Sequence, residues 1–178
     1  MGKIESYILP FVGLSLGKHL YNFDIADAFF ENLSYSEVKK GNLKLELTLD
    51  KQSNMLLLDF HIKGTVHIPC DRCMDNFDLP IECKEQLIVK IGGTELDDNE
   101  EMLSISATEY EINIAQPIYE YIILSLPYRR IHPPGKKGKR GCNPEVIKKL
   151  EEIAVNTNTK EVKKEADPRW DALRNFKL

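Results

Sequence analysis

Residues 43–50 read L-K-L-E-L-T-L-D, residues 56–70 read L-L-L-D-F-H-I-K-G-T-V-H-I-P-C, and residues 77–91 read F-D-L-P-I-E-C-K-E-Q-L-I-V-K-I. Each run alternates with period two, the signature of a strand with one apolar and one wet face. Leu43, Leu45, Leu47 and Leu49 set the first phase; Leu56, Leu58, Phe60, Ile62, Val66, Ile68 and Cys70 set the second. Phe77, Leu79, Ile81, Cys83, Leu87, Val89 and Ile91 set the third. Polar turns at Lys51–Asn54 and Asp71–Asn76 separate the runs, and Gly64 allows a bulge or bend. This pattern predicts an antiparallel sheet of long neighbouring strands, covered on one side.

The flanks predict an α+β fold in which short helices cover that sheet. Residues 5–11 and 18–24 could add one or two strands. Asp24 is placed to cap a helix over Ile25–Leu33, with Ala26, Phe29, Phe30 and Leu33 near one side. Ile112 and Ile114 continue a strand. Pro117 suits the first turn of a helix ending near Leu126, before Pro127. Asn143 and Pro144 then open a helix to about Ala154. Residues 155–166 read as linker, and Asp167 and Pro168 open a last short helix carrying Trp170 and Leu173. The expected division is a body over residues 1–127 and a basic, extended C-terminal arm over 128–178.

A chain of 178 residues with 42% hydrophobic content is long and apolar enough to bury a core without disulfides or metal. Four cysteines are too few for a secreted disulfide scaffold, and no signal peptide or membrane span is expected, so the expected compartment is the reducing cytoplasm. The first six residues match an N-myristoylation pattern and Asn32 opens a glycosylation triplet, but both patterns are too short to carry weight. The net charge is −4, yet Arg129, Arg130, Lys136, Lys137, Lys139 and Arg140 fall within twelve residues that contain no acid. Prolines and glycines punctuate that run, which excludes a regular helix or strand and suits contacts to RNA phosphates. Its alternatives are a solvated loop, or one docked on the acidic loop formed by Glu95, Asp97, Asp98, Glu100 and Glu101.

The C-D-R-C at Cys70–Cys73 offers two thiols in a turn. A redox role needs a strand-to-helix junction, and here the pair lies between two strands. Zinc needs four ligands, and completing a set would require Cys142 and His132 to fold back onto the hairpin. Cys83, in phase with the apolar face, reads as core. The expectation is therefore a reduced pair packed in the turn, with no cofactor, and Cys70, Cys73, Cys142 and His132 as the metal candidates if zinc is held. Arg72 beside the pair could add an RNA contact or form a structural ion pair. No glycine-rich phosphate loop, G-x-S-x-G elbow or H-E-x-x-H helix is present, so no enzyme is expected.

Three blocks resemble the bacterial YceD family of large ribosomal RNA subunit accumulation proteins. The first is C-D-R-C-M at Cys70, Arg72, Cys73 and Met74, followed by Phe77. The second is I-N-I-A-Q-P-I-Y-E-Y-I-I-L-S-L-P, with Glu120 and Pro127. The third is D-P-R-W-x-x-L at Asp167, Pro168, Arg169, Trp170 and Leu173. The resemblance implies a non-enzymatic factor in synthesis, processing or accumulation of large-subunit ribosomal RNA, partnered by that RNA or a pre-ribosomal particle. Many relatives carry further cysteines like a small zinc ribbon before the terminal block; this chain has only Cys142 there, with Lys136, Lys137, Lys139 and Arg140 preceding it. Trp170 reads as an anchor pinning the tail to the body. The rival reading is a protein-interaction module that grips a ribosomal or assembly protein.

Overall fold

The computed structural model describes residues 7–92, 102–133 and 141–154. Its strands are β1 (Ile8–Pro10), β2 (Gly17–Ile25), β3 (Lys40–Lys51), β4 (Met55–Pro69), β5 (Asn76–Ile91), β6 (Met102–Ile105) and β7 (Glu111–Asn113). The helices are α1 (Asp27–Glu31), α2 (Ala115–Leu124) and α3 (Pro144–Ile153). One sheet runs β2-β3-β4-β5-β6 and a small second sheet pairs β1 with β7. The architecture is α+β and mainly antiparallel, as the alternation predicts. The exception is β6, which no periodic run announces and which pairs parallel to β5.

The register puts the three apolar phases on one face. Leu45 lies opposite Ile62, Leu47 opposite Phe60 and Leu49 opposite Leu58, while Leu56 faces Val89, Ile62 faces Cys83 and Ile68 faces Phe77. Leu43, Leu49, Leu56, Leu58, Ile62, Val66 and Val89 are fully buried. Fully burying such side chains stabilises a fold by roughly 1.5–3 kcal/mol each. Helix α2 contributes Ile118 and Ile122 to the core, and Tyr121 meets Phe60 edge-on at 5.2 Å between ring centroids. Tyr7, Phe29 and Phe30 form an edge-to-face chain beside α1. The Lys51 ammonium donates to the carbonyls of Phe11, Val12 and Leu14 at 2.9, 3.1 and 2.9 Å, fixing the loop after β1.

The opposite face of the sheet is wet. His61 lies between Glu46 at 3.5 Å and Glu82 at 3.0 Å, and Lys63 reaches Glu82 at 3.1 Å. Hydrogen bonds from His61 and Lys63 hold the Glu82 carboxyl below the usual carboxylate range. These exposed pairs set cross-strand order more than stability, because water screens them.

One helix start differs from expectation. Asp24 caps nothing: it pairs with Lys44 inside β2, and its carbonyl accepts the Tyr7 hydroxyl at 3.2 Å. The ladder with β3 continues to Ile25, so α1 begins at Asp27 with Ala26 at its uncapped N-terminus. Asp27 instead accepts the Gly41 N–H at 2.9 Å. Helix α2, by contrast, begins as expected: it starts at Ala115, whose N–H donates to the Asn113 side-chain oxygen at 2.9 Å, and Pro117 lies in its first turn.

The unit that contains the sheets runs to Asn143; residues from Pro144 onward form a second. Within the latter, α3 has Leu150 and Ile153 exposed and buries no side chain. The acidic loop, Lys136–Arg140, the linker and the terminal block with Asp167, Pro168, Arg169, Trp170 and Leu173 lie outside the described residues.

Gly64 faces Leu43 across the β3–β4 ladder, and a Cβ there would meet the Asn42 carbonyl oxygen at 2.2 Å and Leu43 Cα at 2.6 Å. Alanine ordinarily strengthens a strand over glycine by about 0.5–1 kcal/mol; here Gly64→Ala is expected to lose about 1–3 kcal/mol from overpacking. Urea unfolding checks this, with Gly13→Ala, where nothing lies within 4 Å, as the neutral control.

Candidate metal centre at the hairpin tip

The β4–β5 hairpin extends past the start of β3, since its last pair is Pro69 with Asn76 whereas β3 begins opposite His67. Its turn is closed by backbone bonds. The Cys70 N–H donates to the Asp75 carbonyl at 3.0 Å and the Met74 N–H donates to the Cys70 carbonyl at 2.9 Å. Met74 takes the left-handed conformation with φ 63°, uncommon for a residue with a side chain and a mark of a tightly specified turn. The Arg72 N–H donates to Cys70 Sγ at 3.4 Å. The turn therefore aims both thiols inward: Cys70 is fully buried and Cys73 nearly so.

The chain beyond α2 is strapped onto this turn. The Asp71 N–H donates to the Arg130 carbonyl at 2.8 Å, and the Arg130 N–H donates back to the Asp71 carboxylate at 2.7 Å. The Arg130 guanidinium pairs with Glu37 at 3.4 Å. His132 follows, its ring tilted against Phe77 with centroids 4.6 Å apart. Gly141 then packs where only a glycine fits: a Cβ would lie 2.6 Å from the Pro133 carbonyl oxygen and 3.0 Å from His132 Cβ. Cys142, next in the chain, is buried.

The result is a four-donor cluster of Cys70, Cys73, His132 and Cys142, whose ligand atoms all lie within 4.8 Å of one another. Cys70 Sγ is 3.9 Å from Cys142 Sγ, and Cys73 Sγ is 3.5 Å from His132 Nδ1. Burial pushes the Cys70 thiol up, but the backbone N–H groups of Cys73, Arg72 and His132, with the His132 ring, bring it down to about 6. Burial and the neighbouring Cys70 and Cys73 sulfurs push Cys142 up. A nucleophilic Cys–His pair is a poor account of this arrangement, because Cys73 is 4% exposed and no substrate could reach it. Three thiols and one imidazole nitrogen converging on one point make a ligand set suited to a tetrahedral thiophilic ion.

The structure thus brings together all four residues that a metal site would require. Cys83 stays apart, half-buried in β5, its thiol pushed up by burial and Glu85 and drawn down by the Ser125 side chain. Of the cations proposed for RNA, Arg130 is engaged with Glu37 and Asp71, Arg129 is exposed, and Arg72 is half-buried with no carboxylate partner among the described residues. Glu120 is exposed and accepts from Gln116 at 2.7 Å, and Pro127 follows the end of α2. Sequence reasoning had no means to find the Asp71–Arg130 strap or the Glu37 pair, since single charged residues carry no spacing signal.

Among known proteins, a family model described as Large ribosomal RNA subunit accumulation protein YceD matches residues 58–177. That span includes all four donors and the whole basic run. No curated protein and no solved structure matches this chain.

The close seat of Gly141 yields a test of the site's packing. Gly141→Ala is expected to displace Cys142 from its buried position, lowering stability by about 1–3 kcal/mol. The Cys142 thiol, measured against a Cys83→Ser background with a disulfide reagent after treatment with chelator, should react faster than in the parent.

Proposed function

The chain belongs to the YceD family, and from that premise, with the large-subunit ribosomal RNA accumulation role its description carries, we propose that it acts by binding that RNA or the pre-ribosomal particle directly. It works in this reading as an assembly or processing factor in the cytoplasm, without catalysis. The observation that carries the reading is where the chain on either side of the basic run is held. Arg130 and His132 on one side and Cys142 on the other are held at the hairpin tip, so the chain between them, with Lys136, Lys137, Lys139 and Arg140, departs from and returns to one place. Exposed Arg129, and Arg72, which has no carboxylate partner among the described residues, add positive charge at the hairpin tip. Charge concentrated on a short loop gives phosphate contacts without the body's net negative charge opposing them at every point.

The test replaces Lys136, Lys137, Lys139 and Arg140 together by glutamate. Binding to purified large-subunit ribosomal RNA is expected to collapse while circular dichroism and the unfolding midpoint stay as in the parent. Six phosphate contacts would give the parent a log–log salt slope of about −4 to −5, and the variant a slope of about −1 to −2. Unchanged RNA affinity would instead favour the rival module that grips a ribosomal or assembly protein.

A further inference from the structure

We propose that Cys70, Cys73, His132 and Cys142 bind a single zinc ion, and that this ion is a structural clasp pinning both flanks of the basic run, at His132 and Cys142, to the β4–β5 turn. The zinc claim stands on the geometry alone; only its consequence for the loop rests on the RNA reading.

Ligand spacing is the first argument. A tetrahedral zinc ion with Zn–S near 2.3 Å and Zn–N near 2.05 Å holds its sulfurs about 3.8 Å apart and a sulfur and a nitrogen about 3.6 Å apart. Two edges of this cluster are 3.9 Å between Cys70 Sγ and Cys142 Sγ and 3.5 Å between Cys73 Sγ and His132 Nδ1. These two edges match the separations that one ion imposes, and all four ligand atoms lie within 4.8 Å of one another. They are too close together to embrace a multi-iron cluster, whose ligands sit on different metal atoms.

The surroundings give the second argument. The three cysteines are buried and His132 half-buried, and the four protein donors by themselves complete a tetrahedral shell, as befits a closed structural site. The Arg72 N–H aimed at Cys70 Sγ neutralises part of the charge a zinc-bound thiolate carries. Phe77 against the His132 ring fixes its orientation. Three soft thiolates with one imidazole select zinc over magnesium or calcium, which take oxygen ligands.

The topology gives the consequence. The ligands come from a hairpin and from the two sides of the basic run, His132 before it and Cys142 after it. One ion therefore ties three chain segments, the hairpin's Cys73 lying 59 residues before His132 and its Cys70 72 before Cys142, and closing such long loops is where a metal clip gains most.

Full-length protein, purified under reducing conditions without chelator, is expected to contain about one zinc per chain by elemental analysis. Cobalt substitution is expected to give thiolate charge-transfer bands in the near ultraviolet and the intense red d–d bands of a tetrahedral site. Cys83→Ser should leave both unchanged. Cys142→Ser should reduce zinc content at least tenfold after dialysis against a competing chelator, and His132→Cys should keep zinc while shifting the cobalt spectrum. If Cys142→Ser does not fold, the wild-type stoichiometry and cobalt spectrum still decide. Wild-type protein without zinc and unable to take up cobalt, zinc that Cys83→Ser abolishes, or stoichiometric iron in place of zinc would each overturn the proposal. Removing zinc from the wild type with a strong chelator should also weaken ribosomal RNA binding; RNA binding unchanged on complete removal would overturn the clasp while leaving the zinc site. Absence of RNA binding by the zinc-loaded protein would instead count against the RNA reading alone.

Discussion

The register between β4 and β5 is the constraint on which the rest of the molecule depends. It runs without interruption from Met55 opposite Lys90 to Pro69 opposite Asn76. A slip of one residue would turn Leu56, Leu58, Phe60, Ile62, Val66 and Ile68 to solvent together, because side chains alternate with period two. Each of these is buried, so the register is fixed many times over. Cys70 is the last member of the same phase, and its burial at the tip follows from the core beneath it. Gly64 is the one concession, a position where β3 approaches too closely for any side chain.

The tip itself is held by modest terms acting together. The reciprocal Asp71–Arg130 strap, one backbone bond and one from the Arg130 N–H to the Asp71 carboxylate, contributes on the order of 1 kcal/mol per hydrogen bond, and the exposed Arg130–Glu37 pair contributes less. Their larger effect is geometric. They fix the direction of the chain leaving α2, so that His132 lands on Phe77 and Gly141 can fold against Pro133. Crowding thiols in a dry place is a strange choice for packing alone, since alanine, valine or leucine would fill the space without polar atoms. The donor set and the strap are better understood as parts of one device that holds the chain on both sides of the basic run.

That device also reconciles the two charge patterns of the chain. The sheet's wet face balances acids and bases in cross-strand order, as with His61 between Glu46 and Glu82. The basic run contains no acid with which to balance itself. Under the proposed function that segregation has a purpose, because phosphate contacts need positive charge set apart from acids.

The three long strands, their inward faces and the cover by α2 were legible in the sequence, because alternation and helical spacing are local consequences of which face is dry. Strand β6 was not, since four residues give too short a pattern, and Asp24 misled because a carboxylate before an apolar run caps a helix only if the strand has already ended. The cysteine pair was visible in its turn, and His132 and Cys142 were visible as the residues needed to complete it. Their convergence was not: donors separated by 59 residues, from Cys73 to His132, meet only through the hairpin's length and the strap that brings the chain back. Sequence alone determined which side chains are dry and where the charge lies, as both follow from nearest neighbours. The tertiary structure decided which distant donors share a point in space, because that depends on the register and path of the whole chain between them.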